Sequence, residues 1–238
     1  MSEEWDPLAP SEMEAIGVQW VGDLQHRVGK AWVVYPLWDA LFRVAWALAK
    51  TARGAAKERC EADWEGGEVH AIPEIRSAAA AVLLAIAAAE GYINTCIDFA
   101  GRVGELSQDR VHWYLDERNH PPPVDVKWRD FPTEVLGERV FDPGEYPLCE
   151  FRSLKDVRDY IAHLEPRMVE VPAETQIREA RVEVRFNLRE WLELLLSRGI
   201  SADNAVKACN VVADMVSRLR QYLYFAPGFF GKEGPPRL

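Results

Sequence analysis

A mainly α-helical fold, an up-down helical bundle with an extra N-terminal helix and room for a small β-hairpin, is what this sequence predicts. Three observations carry that prediction. Apolar residues recur at spacings of three and four over several long stretches, cap and stop residues punctuate those stretches, and alternation of period two is confined to one short segment.

The first thirty residues mix Pro7, Pro10, Gly17, Gly22 and Gly29 with charges and read as an irregular lead-in without an assigned role. From about 31 to 61, Trp38, Leu41, Phe42, Ala45, Trp46 and Ala49 fall on one helical stripe, so residues 1–73 are expected to contribute one amphipathic helix packed on the bundle. The acidic, glycine-containing stretch 61–68 should break that helix, with Pro73 opening a second that runs to about Arg102. Its alanines allow close approach of neighbours and Val82, Leu83, Ile86, Ile93 and Phe99 supply bulk, which makes it the centre of a bundle over 74–225.

Ser107 is a candidate N-cap for a short helix to about Glu117, stopped by Asn119-His120-Pro121-Pro122-Pro123. Residues 121–148 hold six of the 15 prolines and no sustained period, and are expected to be a long loop inserted in the bundle. Phe151, Leu154, Val157 and Ile161 mark a helix that Pro166 terminates after His163. Met168–Val171 and Arg181–Phe186 alternate and can form a small hairpin. Asn187 can cap a helix to Ser197, Gly199 ends it, and Ser201 or Asp203 starts a last helix to about Phe225, followed by a flexible tail over 226–238.

The chain has 238 residues of which 48% are hydrophobic, enough for one domain with an appendage. Its longest apolar run, Ala78 to Ala89, spans 12 residues, whereas a bilayer core takes about 20. With an acidic opening, Met1-Ser2-Glu3-Glu4, that implies a buried helix, no membrane association and a cytoplasmic location. A net charge of -10 argues against a general nucleic-acid coat, though not against a small cleft with a few cations. Cys60, Cys96, Cys149 and Cys209 lie far apart with no histidines at ligand spacing, so no metal and no cofactor is expected. There is no Gly-rich phosphate loop, His-Glu-x-x-His or glycine-flanked serine elbow.

The stretch Phe151 to Pro166 contains Arg158-Asp159, three further residues and His163, with an apolar residue two before the histidine, a small one directly before it and a helix stop behind it. This pattern resembles the motif helix of the HEPN family. The run Ala79 to Phe99 resembles that family's long first bundle helix, with Glu90 and Asn94 one turn apart where its members carry a Glu and an Asn. The order of helices agrees over roughly 74–225, and the first seventy residues lie outside the resemblance. The resemblance implies a homodimer in which Arg158 and His163 of two protomers face one cleft and cut RNA without metal, in a toxin or defence setting with an antitoxin or other protein as partner. It equally implies the family's alternative, a dimerisation or protein-interaction module without activity.

The side chains suit the chemistry. A histidine imidazole ordinarily titrates near ~6.5, so His163 can take a proton from a ribose 2′-hydroxyl or give one to a leaving oxygen. Arg158 can hold the scissile phosphate in a forked contact, and Asp159 can orient either group. Arg152 and Lys155 can extend a phosphate-binding strip, and Glu90 and Asn94 can hold the motif arginine. A solvated helix face explains the same residues if Arg158 pairs with Asp159, Asp156 or Glu165 and His163 sits at a helix C-terminus. Two further candidates are the aromatic and basic group His112, Trp113, Tyr114, Arg118 and His120, able to stack on bases, and a ligand pocket walled by Trp38 and Trp46.

Overall fold

The computed structural model describes residues 37–61, 64–116, 118, 120–163, 173–178, 181–186, 188–223 and 238. The elements are α1 (Leu37–Glu61), α2 (Trp64–Val103), α3 (Gln108–Leu115), α4 (Val124–Leu136), α5 (Leu148–Ala162), β1 (Ala173–Arg178), β2 (Arg181–Phe186), α6 (Leu188–Ser197) and α7 (Ala202–Tyr222). The protein is mainly helical. The two strands pair antiparallel, with Ala173 opposite Phe186 and Arg178 opposite Arg181. The expected first strand at 168–171 lies outside the described residues, as do the lead-in, Asn187 and the expected end of the last helix at Phe225.

The α1 stripe read from the sequence is the buried face, with Trp38, Phe42, Ala45, Trp46 and Ala49 inside and Leu41 half-buried. It packs antiparallel on α2. The start of α1 meets α2 through Trp38, edge-on to Tyr92 at 5.0 Å, and its end meets it through Arg59, whose Nε donates to Glu74 at 2.7 Å. A side chain at Gly91 would come within 3.1 Å of Trp38 Cβ, so glycine is what lets the two helices approach there. α7 lies against both, its Ala202 N–H donating to Glu74 Oε1 at 3.3 Å. α5 runs antiparallel to α7, with Lys207 paired to Glu150 and Tyr146 donating to Asp214.

α2 is central, as its alanines and Val82, Ile86 and Ile93 suggest, all three of them buried; Leu83 and Phe99 are half-buried. Its span Ala71–Val103 is long and apolar enough to cross a membrane by length and composition. The core helix of a bundle meets the same test. Two expectations about its start are corrected. The helix begins at Trp64, so 64–68 is helical instead of a break, and Pro73 lies inside the helix instead of at its head. Glycine costs a helix only about 1 kcal/mol, and burial of Ala71, Glu74 and Ile75 against α1 and α7 outweighs that local preference.

The largest correction concerns 121–148, expected to be a loop. It holds α4, entered through Pro123 and closed by Gly137 in the left-handed conformation, with Val124, Trp128 and Phe131 buried and Pro132 inside. Proline before or in the first turn costs no helical hydrogen bond, and the apolar positions 124, 128, 131 and 135 have helical spacing that the proline count concealed. The expected tail lies outside the described residues except for Leu238, which is half-buried and donates its backbone N–H to Asn210 Oδ1 at 3.2 Å.

Local signals place the remaining ends. Ser107 and Ser201 accept from the amides of Arg110 and Asn204, each three residues on, capping α3 and α7. Gly199 ends α6 at φ +88, and Asn204 Nδ2 donates to its carbonyl at 2.9 Å. A Cβ there would lie 2.8 Å from Asn204 Nδ2, so Gly199→Ala is expected to lower stability by about 1–2 kcal/mol in urea unfolding. No measurable loss would mean the turn rearranges freely.

Candidate functional site

α5 forms as its stripe requires, with Phe151 and Leu154 buried, which turns Lys155, Arg158 and Asp159 toward its half-exposed side. Lys155 Nζ donates to Asp159 Oδ2 at 2.9 Å, one turn on, and Arg158 Nη1 donates to Asp159 Oδ1 at 2.8 Å. Arg158 also reaches across to α2, where its Nη2 lies 3.6 Å from Glu90 Oε2. Four of the residues singled out from sequence thus meet: Glu90, Lys155, Arg158 and Asp159.

Asn94 does not touch Arg158. Its Oδ1 accepts from Lys127 Nζ of α4 at 2.9 Å, and Lys127 is only 4% exposed. Glu90 and Asn94 are one turn apart and share a face of α2, so the two cations approach one strip of that helix from different elements. Burial pushes the Lys127 ammonium below the ordinary lysine range, and the negative charge of Glu90 opposes that shift. Sequence reading missed Lys127 because it lies in the proline-rich segment. The available signal was its place beside Val124, Trp128 and Phe131 on a helical stripe.

His163 is the C-cap of α5, its backbone N–H bonded to Asp159 O at 3.0 Å. It is exposed, and its imidazole makes no hydrogen bond among the described residues. On an ideal helix it stands about 140° around and about 7.5 Å along from Arg158. α5 ends at Ala162 and His163 leaves the helical path at φ -107, ψ 26, while Pro166 lies outside the described residues.

Arg152 does not join the cluster. Its Nε lies 3.4 Å from Asp125 Oδ2 of α4, and its side chain is mostly exposed. Of the base-stacking group suggested at 112–120, His112, Trp113, Arg118 and His120 are exposed and Tyr114 is not. Tyr114 is buried and donates to Glu134 Oε2 at 3.1 Å. Arg110 forks onto the same carboxylate at 2.7 and 2.6 Å, holding Glu134 below the usual range, while burial pushes the Tyr114 phenol up. Trp113 is exposed, with the Arg110 guanidinium 4.2 Å from its ring. Arg110 and Tyr114 thus join α3 to Glu134 of α4.

Trp38 and Trp46 are core side chains, and neither lines a groove that opens among the described residues beside Tyr146 and α7. That groove, about 510 Å³, is lined by Arg53, Tyr146, Asp203, Lys207, Asn210 and Leu238 among others. Among the described residues no group of three or more His, Cys, Asp or Glu gathers as metal ligands. Comparison of the chain with protein-family models, curated proteins and solved structures gives no match.

Proposed function

We propose that this chain is a HEPN-like, metal-independent endoribonuclease of the cytoplasm, working as a homodimer in a toxin or defence role. The observation that carries the reading is the meeting of Lys155, Arg158 and Asp159 of α5 with Glu90 of α2, in a chain of net charge -10, on a helix that ends at exposed His163. An arginine and a lysine side by side suit a phosphodiester, and an exposed imidazole suits proton transfer.

In this reading His163 takes the 2′-hydroxyl proton as the 2′-oxygen attacks phosphorus, and the bond to the 5′-oxygen breaks. The partner subunit's His163 gives a proton to that leaving oxygen, leaving a 2′,3′-cyclic phosphate and a 5′-hydroxyl. Arg158 stabilises the charge on the phosphorane-like transition state. To do so it must exchange Asp159 and Glu90 for phosphate. Partly exposed ion pairs are worth about 0–1 kcal/mol, so the exchange is cheap for a side chain still 27% exposed.

A second reading, a non-catalytic HEPN-like dimerisation module, draws on the same ion pairs, since Arg158 already has two carboxylate partners. Cleavage of a mixed RNA pool in EDTA separates the two. Wild type is expected to yield 2′,3′-cyclic ends, and His163→Ala and Arg158→Ala each to lose roughly 100-fold or more in rate. An intact dimer without cleavage, or variants as active as wild type, would leave the interaction module as the function.

A further inference from the structure

A buried lysine whose hydrogen bond goes to one neutral amide calls for an account. Lys127 is 4% exposed, and Asn94 Oδ1 at 2.9 Å takes one of its three donors. Desolvating an ammonium costs several kcal/mol, and an amide acceptor offsets only part of that. Helix docking does not need the charge. Trp128 and Phe131 already bury α4, and an apolar side chain at 127 would serve packing as well or better.

The Asn94 that holds the ammonium lies one turn from Glu90 on the same strip of α2, which puts a carboxylate near the Lys127 charge. Glu90 thus stands one helical turn from the Asn94 that holds Lys127, and 3.6 Å from Arg158 Nη2. The contact to Arg158, at 3.6 Å, is an ion pair too long for a hydrogen bond. Each cation near a carboxylate weakens the hold of that carboxylate on the other.

We propose that Lys127 is a positioning residue that shares the charge of Glu90 and so leaves Arg158 exchangeable, able to pass from its carboxylates to an anionic phosphodiester. The nature of the anion rests on the ribonuclease reading; the sharing of Glu90 does not. Lys127→Met removes the competing cation at similar volume, and Arg158 should then be held more tightly by Glu90.

The test uses the full chain with two readouts. In ¹⁵N NMR, rotation of the Arg158 guanidinium should slow in Lys127→Met and return to the wild-type rate in Lys127→Met/Glu90→Gln. Rotation unchanged in Lys127→Met overturns the proposal. Binding of a 2′-O-methyl RNA oligonucleotide, which cannot be cut at the 2′-oxygen, should weaken about fivefold in Lys127→Met and recover in the double variant. A merely structural role for Lys127 would not be rescued by removing Glu90, so weakening without recovery also overturns it. If wild type shows no Arg158-dependent RNA binding, the ribonuclease reading fails and the guanidinium rotation still decides the proposal. If Lys127→Met does not fold, the Lys127 titration is followed in wild type and Glu90→Gln. A lower midpoint in Glu90→Gln supports sharing, and an unchanged one refutes it.

Discussion

Trp128→Ala is expected to lower stability by about 3–5 kcal/mol. The indole is fully buried, stacked on Tyr92 with centroids 6.1 Å apart and edge-on to Phe141 at 5.6 Å. Its removal opens a cavity where α4 meets α2, walled by rigid rings that collapse poorly. Its Nε1–H has no hydrogen-bond partner among the described residues, so Trp128→Phe loses volume but also an unsatisfied donor, and should cost clearly less than the alanine variant. Urea unfolding measures both. A loss below about 1 kcal/mol for Trp128→Ala would mean that α4 detaches without cost, as a loop would.

Glu74→Ala should fall in a similar range for a different reason. Glu74 is 1% exposed and binds two elements at once, accepting from Arg59 Nε of α1 at 2.7 Å and from the Ala202 amide at the head of α7 at 3.3 Å. A carboxylate at a helix N-terminus answers both the free amides and the positive end of the dipole. Removing one partner of a buried pair typically costs about 3–5 kcal/mol. Arg59 is about one-third exposed and can turn to water, which favours the lower end. The paired change Glu74→Leu/Arg59→Leu should recover much of the loss, because no charge is then left stranded. Thermal unfolding of the two variants reads this directly, and Glu74→Ala as stable as wild type would show that the three helices are joined without Glu74.

Much of the site could be read before the structure, and its organisation could not. Arg158, Asp159 and Lys155 are near neighbours on one helix, so their contacts follow from a turn of 3.6 residues. Glu90 and Asn94 could be paired by their spacing of four. That Glu90 would face Arg158 and Asn94 would face Lys127 depends on how α2, α4 and α5 cross, and the Asn94 contact joins residues 33 positions apart. Arg152, close to Arg158 in sequence, turned to Asp125 because six residues on a helix is not a whole number of turns.

By itself the sequence determined the helical class, the buried stripe of α1 and the ends set by Ser107, Gly199 and Ser201, because these depend on side chains and amides within a few residues of each other. Tertiary structure alone decided that the proline-rich segment holds a core helix, that α2 runs through Gly66, Gly67 and Pro73, and that Lys127 is buried beside Asn94. In the first two of those places a local preference of about 1 kcal/mol per glycine, and about 3 kcal/mol for an interior proline, met burial of several apolar side chains at about 1.5–3 kcal/mol each. Burial outweighed the local preference, and it acts only once the helices have come together.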